Sequence, residues 1–184
     1  MMTRHSKNAA LAVAFFAMTA CASAQTAANT DTKASGPSDA EIAAIVVAAN
    51  AVDADIGDLA AARAASADVR QFGQTMATDH RAVNQAAGEL VARLKVTPVE
   101  NAVSRKLRAD GATVKAELNT KTGAEFDRAY LTHEVAYHKA VIDAVDQVLI
   151  PNADNAELKQ TIVSVRPALV AHLEHAEKLL SGLQ

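Results

Sequence analysis

The stretch Ser66–Lys95, SADVRQFGQTMATDHRAVNQAAGELVARLK, decides the fold. Its apolar residues Val69, Phe72, Met76, Val83, Ala87, Leu90, Val91 and Leu94 recur at spacings of mostly three and four, and His80 falls in the same row. That period gathers one stripe on one face of a helix and leaves the polar side chains opposite. Ser66, a helix-capping residue type, stands just ahead of the stripe. A helix is predicted over 67–95, and it has to bury its stripe against something.

The same pattern continues on both sides. Upstream, Ser38-Asp-Ala-Glu41 is a capping box. It opens a helix over 39–65 with the stripe Ile42, Ile45, Ala49, Val52, Ile56 and Leu59. Downstream, two more boxes appear, Thr97-Pro98-Val-Glu100 and Thr122-Gly-Ala-Glu125. The second begins a helix over 124–150, carrying Phe126, Tyr130, His133, Tyr137, Val141, Ala144 and Val148, that stops at Pro151. A last helix starts near Asp154 and carries Leu158, Ile162, Val165, Leu169, His172, Leu173, Ala176 and Leu180, with a kink expected at Pro167. Between the second and third of these helices, residues 97–121 read as a partly helical connection interrupted near Gly111. Four long helices with one apolar stripe each predict an all-α four-helix bundle. One long crossover between helices 2 and 3 is the ferritin-like connection.

Composition agrees. Half of the 184 residues are hydrophobic, 3% are aromatic, none is Trp and one is Cys. The small count of Gly and Pro excludes a collagen-like chain, and a lone Cys excludes a disulfide scaffold. The rarity of aromatic and alternating β-branched runs argues against a β-sandwich. Abundant Ala favours helix. The length suits one domain.

Residues 1–24 read as a secretory signal. Arg4, His5 and Lys7 precede the apolar run Ala9–Ala20, which is too short to span a membrane. Ala22-Ser23-Ala24 is a cleavage site that would leave Gln25 first; Met18-Thr19-Ala20-Cys21 reads alternatively as a lipobox, with Cys21 lipidated. Either predicts export, to the periplasm or to the outer membrane as a lipoprotein, with membrane contact only through the signal or the lipidated Cys21. Residues 25–37 read as a flexible leader and 38–184 as the folded domain. The net charge is −3, and removing Arg4 and Lys7 makes it more negative. With no basic run, nucleic acid is not an expected partner; an envelope protein is.

Past the signal the chain holds five histidines: His80, His133, His138, His172 and His175. At 100° per residue, His80, His133 and His172 fall inside the stripes of three helices. Glu134 and His138 lie on the flank of the third stripe and His175 at the edge of the fourth. The first helix offers Asp53 and Asp55 near its stripe margins, whereas Asp79 and Asp143 read as solvent-facing. Imidazole and carboxylate are what a bundle core offers iron, manganese, zinc or copper. The di-iron pattern of Glu-x-x-His pairs is not met, since Glu134 lies four residues before His138. Three readings remain open on these residues: a metal site, a structural polar cluster, with Tyr130 and Tyr137 as partners of His133, and a small-ligand pocket. No phosphate loop, nucleophile elbow or reactive Cys marks an enzyme.

Several motifs carry a family resemblance: Asp55-Ile-Gly-Asp-Leu-Ala60, Ser66-Ala-Asp-Val-Arg-Gln-Phe72, Met76-Ala-Thr-Asp-His80, Phe126-Asp127-Arg-Ala-Tyr130, His138 and Pro167-Ala-Leu-Val-Ala-His172. In order and spacing, over residues 38–180, they resemble the bacterial exported family called domain of unknown function 4142. The resemblance implies a ferritin-like bundle in the envelope and no particular activity. It matches His80, His138 and His172 to the family's histidines and places Asp55 where family members carry Glu; His133 and His175 are additions. The expected site is therefore a transition metal held by Asp55, His80, His138 and His172, with His133, Glu134 and His175 as secondary candidates. The alternative expectation is an envelope interaction module whose core histidines are structural.

Overall fold

The computed structural model describes residues 36–183, so the segment read as a signal, Cys21 and most of the segment read as a leader lie outside the described residues. Those residues are all-helical. The long helices are α1 (Asp39–Arg63), α2 (Ala67–Leu94), α3 (Ala102–Asn119), α4 (Gly123–Ala144) and α5 (Ala156–Gly182). A π-helical turn (Val145–Leu149) and a short helical turn (Ile150–Asn152) extend α4. No described helix is long and apolar enough to cross a membrane.

The first capping box forms as read: Ser38 Oγ accepts from the Glu41 amide, and the Glu41 carboxylate accepts from the Ser38 amide. α1 ends two residues earlier than its stripe suggested. Asp127 of α4 accounts for this, because its two carboxylate oxygens accept from the amides of Ala65 and Ser66, each at 2.8 Å. Arg70 donates to the carbonyls of Ala64 and Ala65 from the other side. The α1–α2 connection is thus tied down by a distant helix.

The segment 97–121 differs from its reading. Thr97–Glu100 does not start a helix; the cap is Asn101, paired reciprocally with Ser104. From there α3 runs unbroken through Gly111. A Cβ at Gly111 would lie 2.5 Å from Val52 Cγ1, so this glycine lets α3 approach α1 and does not interrupt it. At the third box, Thr122 makes no side-chain cap bond, and Gly123 enters α4 with φ +58°. Pro151 sits in the short turn after the π-helical turn, so the helical path continues to Asn152. α5 continues through Pro167, its start capped by Asn155, whose side chain accepts from the amides of Glu157 and Leu158.

α1 packs along α2 on one side and α3 on the other; α4 packs on α5, and α2 meets α5. The backbones of α1 and α2 approach closely at Gly57 and Gly73. A Cβ on Gly57 would lie 2.8 Å from the Gly73 carbonyl, and one on Gly73 would lie 2.7 Å from the Gly57 carbonyl. Asp53 lies one turn from Gly57 and His80 two turns from Gly73, and there their side chains meet.

The apolar core is in two parts. One joins Ile42, Ile45, Leu90, Val145, Leu149 and Ile162; the other joins Ile56, Phe72, Met76, Phe126, Tyr130 and Ala176. On α1, α2, α4 and α5 the residues between these parts are Asp53, His80, Glu134 with His138, and His172. A polar layer therefore crosses the interior of an otherwise apolar stack.

Candidate metal centre

Three imidazoles converge in that layer. The ring centroids of His80 and His138 are 5.7 Å apart, those of His80 and His172 5.3 Å, and those of His138 and His172 5.5 Å. His80 and His138 are buried, and the His172 side chain is 11% exposed.

Each ring has one nitrogen engaged by a group that can only accept. His80 Nδ1 donates to Asn50 Oδ1 at 2.8 Å, and Asn50 is fixed by its own amide donating to the Val46 carbonyl. His138 Nδ1 donates to the Glu134 carbonyl at 3.1 Å. His172 Nε2 donates to Asp79 Oδ2 at 3.0 Å. An acceptor on one ring nitrogen places the proton there and leaves the other nitrogen as a bare lone pair. Those other nitrogens, His80 Nε2, His138 Nε2 and His172 Nδ1, are all buried and, among the described residues, without a hydrogen-bond partner. His80, His138 and His172 present ring nitrogens that all lie within 4.8 Å of one another.

Asp53 closes the group. Its Oδ2 lies 3.2 Å from His80 Nε2 and 3.7 Å from His138 Nε2. Glu134 stands behind His138, with Oε2 3.4 Å from Nδ1, so Asp53, Glu134 and His138 form a second cluster with metal-ligand spacing. Tyr130 and Tyr137 wall the layer; Tyr137 Oη donates to the Ala49 carbonyl at 2.9 Å, and the Tyr130 hydroxyl is buried beside Glu134.

Burial sets the charge state. It pushes the Asp53 carboxyl up to about 8 and holds Glu134 well above the usual carboxylate range. It pushes His80 down to about 3 and His138 down to about 4, with the neighbouring imidazoles adding to the effect. Without a cation, the Asp53 and Glu134 carboxyls are protonated and the His80 and His138 rings neutral at pH 7. Asp53 then has one proton to donate and three bare nitrogens face the same space. An unpaired buried polar atom costs about 1–3 kcal/mol. A divalent cation offers a partner to all three nitrogens and to the Asp53 carboxylate at once, and its binding displaces the carboxyl proton. The buried His and Asp groups could thus hold a metal. Their outer contacts to Asn50, the Glu134 carbonyl and Asp79 are of the kind that orient metal-ligating imidazoles.

The structure brings together some of the residues expected from sequence. His80, His138 and His172 come together, and Glu134 lies beside them. Asp55 does not: it is exposed on the far side of α1, and Asp53 occupies the interior position. The physical reason is the helical period, since two residues turn a side chain by about 200°. Asp53 continues the row Ile45, Ala49, Ile56 at spacings of four, four and three, a signal that outweighs the motif match. His133 is half-buried and lies against the Tyr137 ring, centroids 5.4 Å apart, outside both clusters. His175 is exposed, its ring edge on Phe72 at 5.0 Å. Asp79 is half exposed as read, yet it holds His172, and Asn50 was not singled out at all; neither contact has a signature within one helix.

No curated protein and no solved structure matches the chain. A family model, described as domain of unknown function (DUF4142), matches residues 22–179. Spanning most of the chain and both halves of the histidine layer, that match shows that the protein belongs to this family.

Proposed function

We propose that this protein is exported to the bacterial envelope, where a ferritin-like four-helix bundle of α1, α2, α4 and α5, with α3 laid on α1, holds one transition metal for metal handling. The ligands are His80 Nε2, His138 Nε2, His172 Nδ1 and the Asp53 carboxylate, with Glu134 behind His138. One observation carries the reading: three imidazoles offer ring nitrogens within 4.8 Å of one another, each ring with one nitrogen engaged and the other buried without a partner, beside a buried carboxyl. Nitrogen donors with one carboxylate suit Zn(II), Fe(II), Mn(II) or Cu(II). The missing Glu-x-x-His pairs speak against a di-iron oxygen-activating centre. Export rests on the basic, apolar and Ala22-Ser23-Ala24 segments of the N-terminus.

Metal analysis of untagged protein from the envelope fraction tests both parts. The expected result is about one metal per chain in the wild type and less than about a tenth of that in His80→Ala and His138→Ala. Intact mass should place the first residue at Gln25 or show a lipid on Cys21. Metal-free protein that gains no thermal stability with any of the four ions would overturn the metal reading. A retained Met1 would overturn export.

A further inference from the structure

The histidine layer forms one end of a cavity of about 340 Å³ that a bound metal ion would leave mostly unfilled. Its wall follows all four helices in one direction: from Asp53 to Ala43 on α1, from His80 to Val91 on α2, from His138 to Leu149 beyond α4, and from His172 to Leu158 on α5. Ten to fourteen helical residues rise about 15–20 Å, so the cavity is long and narrow. Away from the layer the wall is apolar apart from Thr161 and Ser164, whose hydroxyls donate to the carbonyls of Glu157 and Thr161. Alanines at 49, 82, 87, 144 and 168 leave the space that larger side chains would fill. An empty apolar volume costs stability as it grows, and this one falls in the range of about 300–1,000 Å³ of small-molecule pockets. Its exposed lining residues Asp79, Ala82, Ser164 and Ala168 put the mouth between α2 and α5.

All the demanding polar groups lie at one end and the rest of the wall is aliphatic. We infer that the cavity binds a linear aliphatic carboxylate, its chain along the alanine-lined wall and its head at the histidine layer. Among the described residues no Lys or Arg lines the cavity, so a carboxylate head is balanced there by a cation held by the histidines. The head-group part of the inference therefore rests on the metal reading; the fit of the chain does not.

The test uses the full mature chain, metal-free or loaded with Zn(II), titrated with a dansylated undecanoic acid and displaced with dodecanoate. Zn(II) affinity is measured separately by competition with a chromophoric chelator. Saturable probe binding, displaced by dodecanoate and at least about tenfold tighter in the Zn(II)-loaded protein, is expected. Ala87→Phe, which fills the wall two turns from His80, should weaken the probe at least about tenfold and leave Zn(II) affinity within about twofold. Ala144→Leu serves the same purpose should Ala87→Phe not fold, as judged by its helical circular dichroism. A protein that binds Zn(II) but not the probe overturns this inference and leaves the metal reading standing. Probe binding that is unchanged by Zn(II) overturns the head-group placement, and binding unchanged by either variant overturns the cavity as its site. If Zn(II) does not bind, the metal reading and the head-group placement fall together, and probe binding abolished by Ala87→Phe still supports the chain site.

Discussion

Asp53 and Asp55 stand two residues apart on α1 and have opposite surroundings. Asp55 points to solvent, while Asp53 is buried against two imidazoles. The two carboxylates are thus a matched pair for testing the metal centre. Asp53→Asn keeps the shape but offers no charge to a cation, and it is expected to weaken Zn(II) or Fe(II) by about 10–100-fold; Asp55→Asn should change affinity by less than about twofold. Asp79→Asn belongs with the first, because the His172 Nε2 proton loses a carboxylate acceptor; a drop of about tenfold is expected there. Isothermal titration with chelator-treated protein separates these outcomes, and equal effects at 53 and 55 would contradict the assignment. The three clustered histidines were legible from helical spacing and motif together. Asp53 was legible from spacing alone, and the motif pointed away from it. Asn50 and Asp79 were not legible, since each acts on a ring carried by a different helix.

At the scale of elements, the connections are held by residues far away in sequence. The two-carboxylate grip of Asp127 on the Ala65 and Ser66 amides fixes where α1 stops and α2 begins. Asp127→Ala would leave both amides without that partner, with Asp127 itself 2% exposed. At about 1–3 kcal/mol for each unsatisfied buried group, a loss of about 2–4 kcal/mol is expected, allowing for partial hydration of the connection. Urea unfolding with an unchanged m-value would measure it; a loss below about 0.5 kcal/mol would show that the capping is incidental. The Gly57–Gly73 contact plays a related part, because it sets the α1–α2 spacing that lets Asp53 reach His80. The glycines at 57, 73 and 111 are plain in the sequence, but whether such a residue breaks a helix or admits a neighbour depends on what packs against it. Gly111 was read as a break for that reason, and the proximity of Val52 shows it to be a packing position.

At the scale of the whole molecule, the buried carboxyls and imidazoles between two apolar cores make stability depend on pH with two opposite slopes. In the metal-free protein His80, His133 and His138 are held below their ordinary 6.5, at about 3, about 4 and about 4, by burial. The unfolded chain therefore takes up more protons below about pH 6.5, and stability falls as the pH falls through that range. Asp53, raised from 3.8 to about 8, and Glu134, also raised, act the other way: the native state holds their protons longer, so stability falls as the pH rises from about 4 to about 8. Three histidines outweigh two carboxyls only where more than about two thirds of the unfolded imidazoles are protonated, and the carboxyls prevail above that. Maximum thermal stability of the EDTA-treated protein is expected at about pH 6, with a decline toward pH 8. Saturating Zn(II) should raise the melting temperature and reduce the alkaline decline, because the metal-bound state already has Asp53 ionised. Scans from about pH 5 to about pH 9 read both effects; an alkaline decline as steep with the metal as without it would place Asp53 outside the ligand set. The sequence by itself determined that the chain is helical, where most helices run, which faces are buried and that three of those faces carry imidazole, because helix formation and amphipathic burial are set by residue type and a local period. Only the tertiary structure decided that residues 102–119 form a full helix on α1, that Asp53 and not Asp55 meets the histidines, and that an alanine-lined cavity opens beside them. Those depend on distances between helices, and a spacing rule for one helix carries no information about which neighbour comes within 3 Å of it.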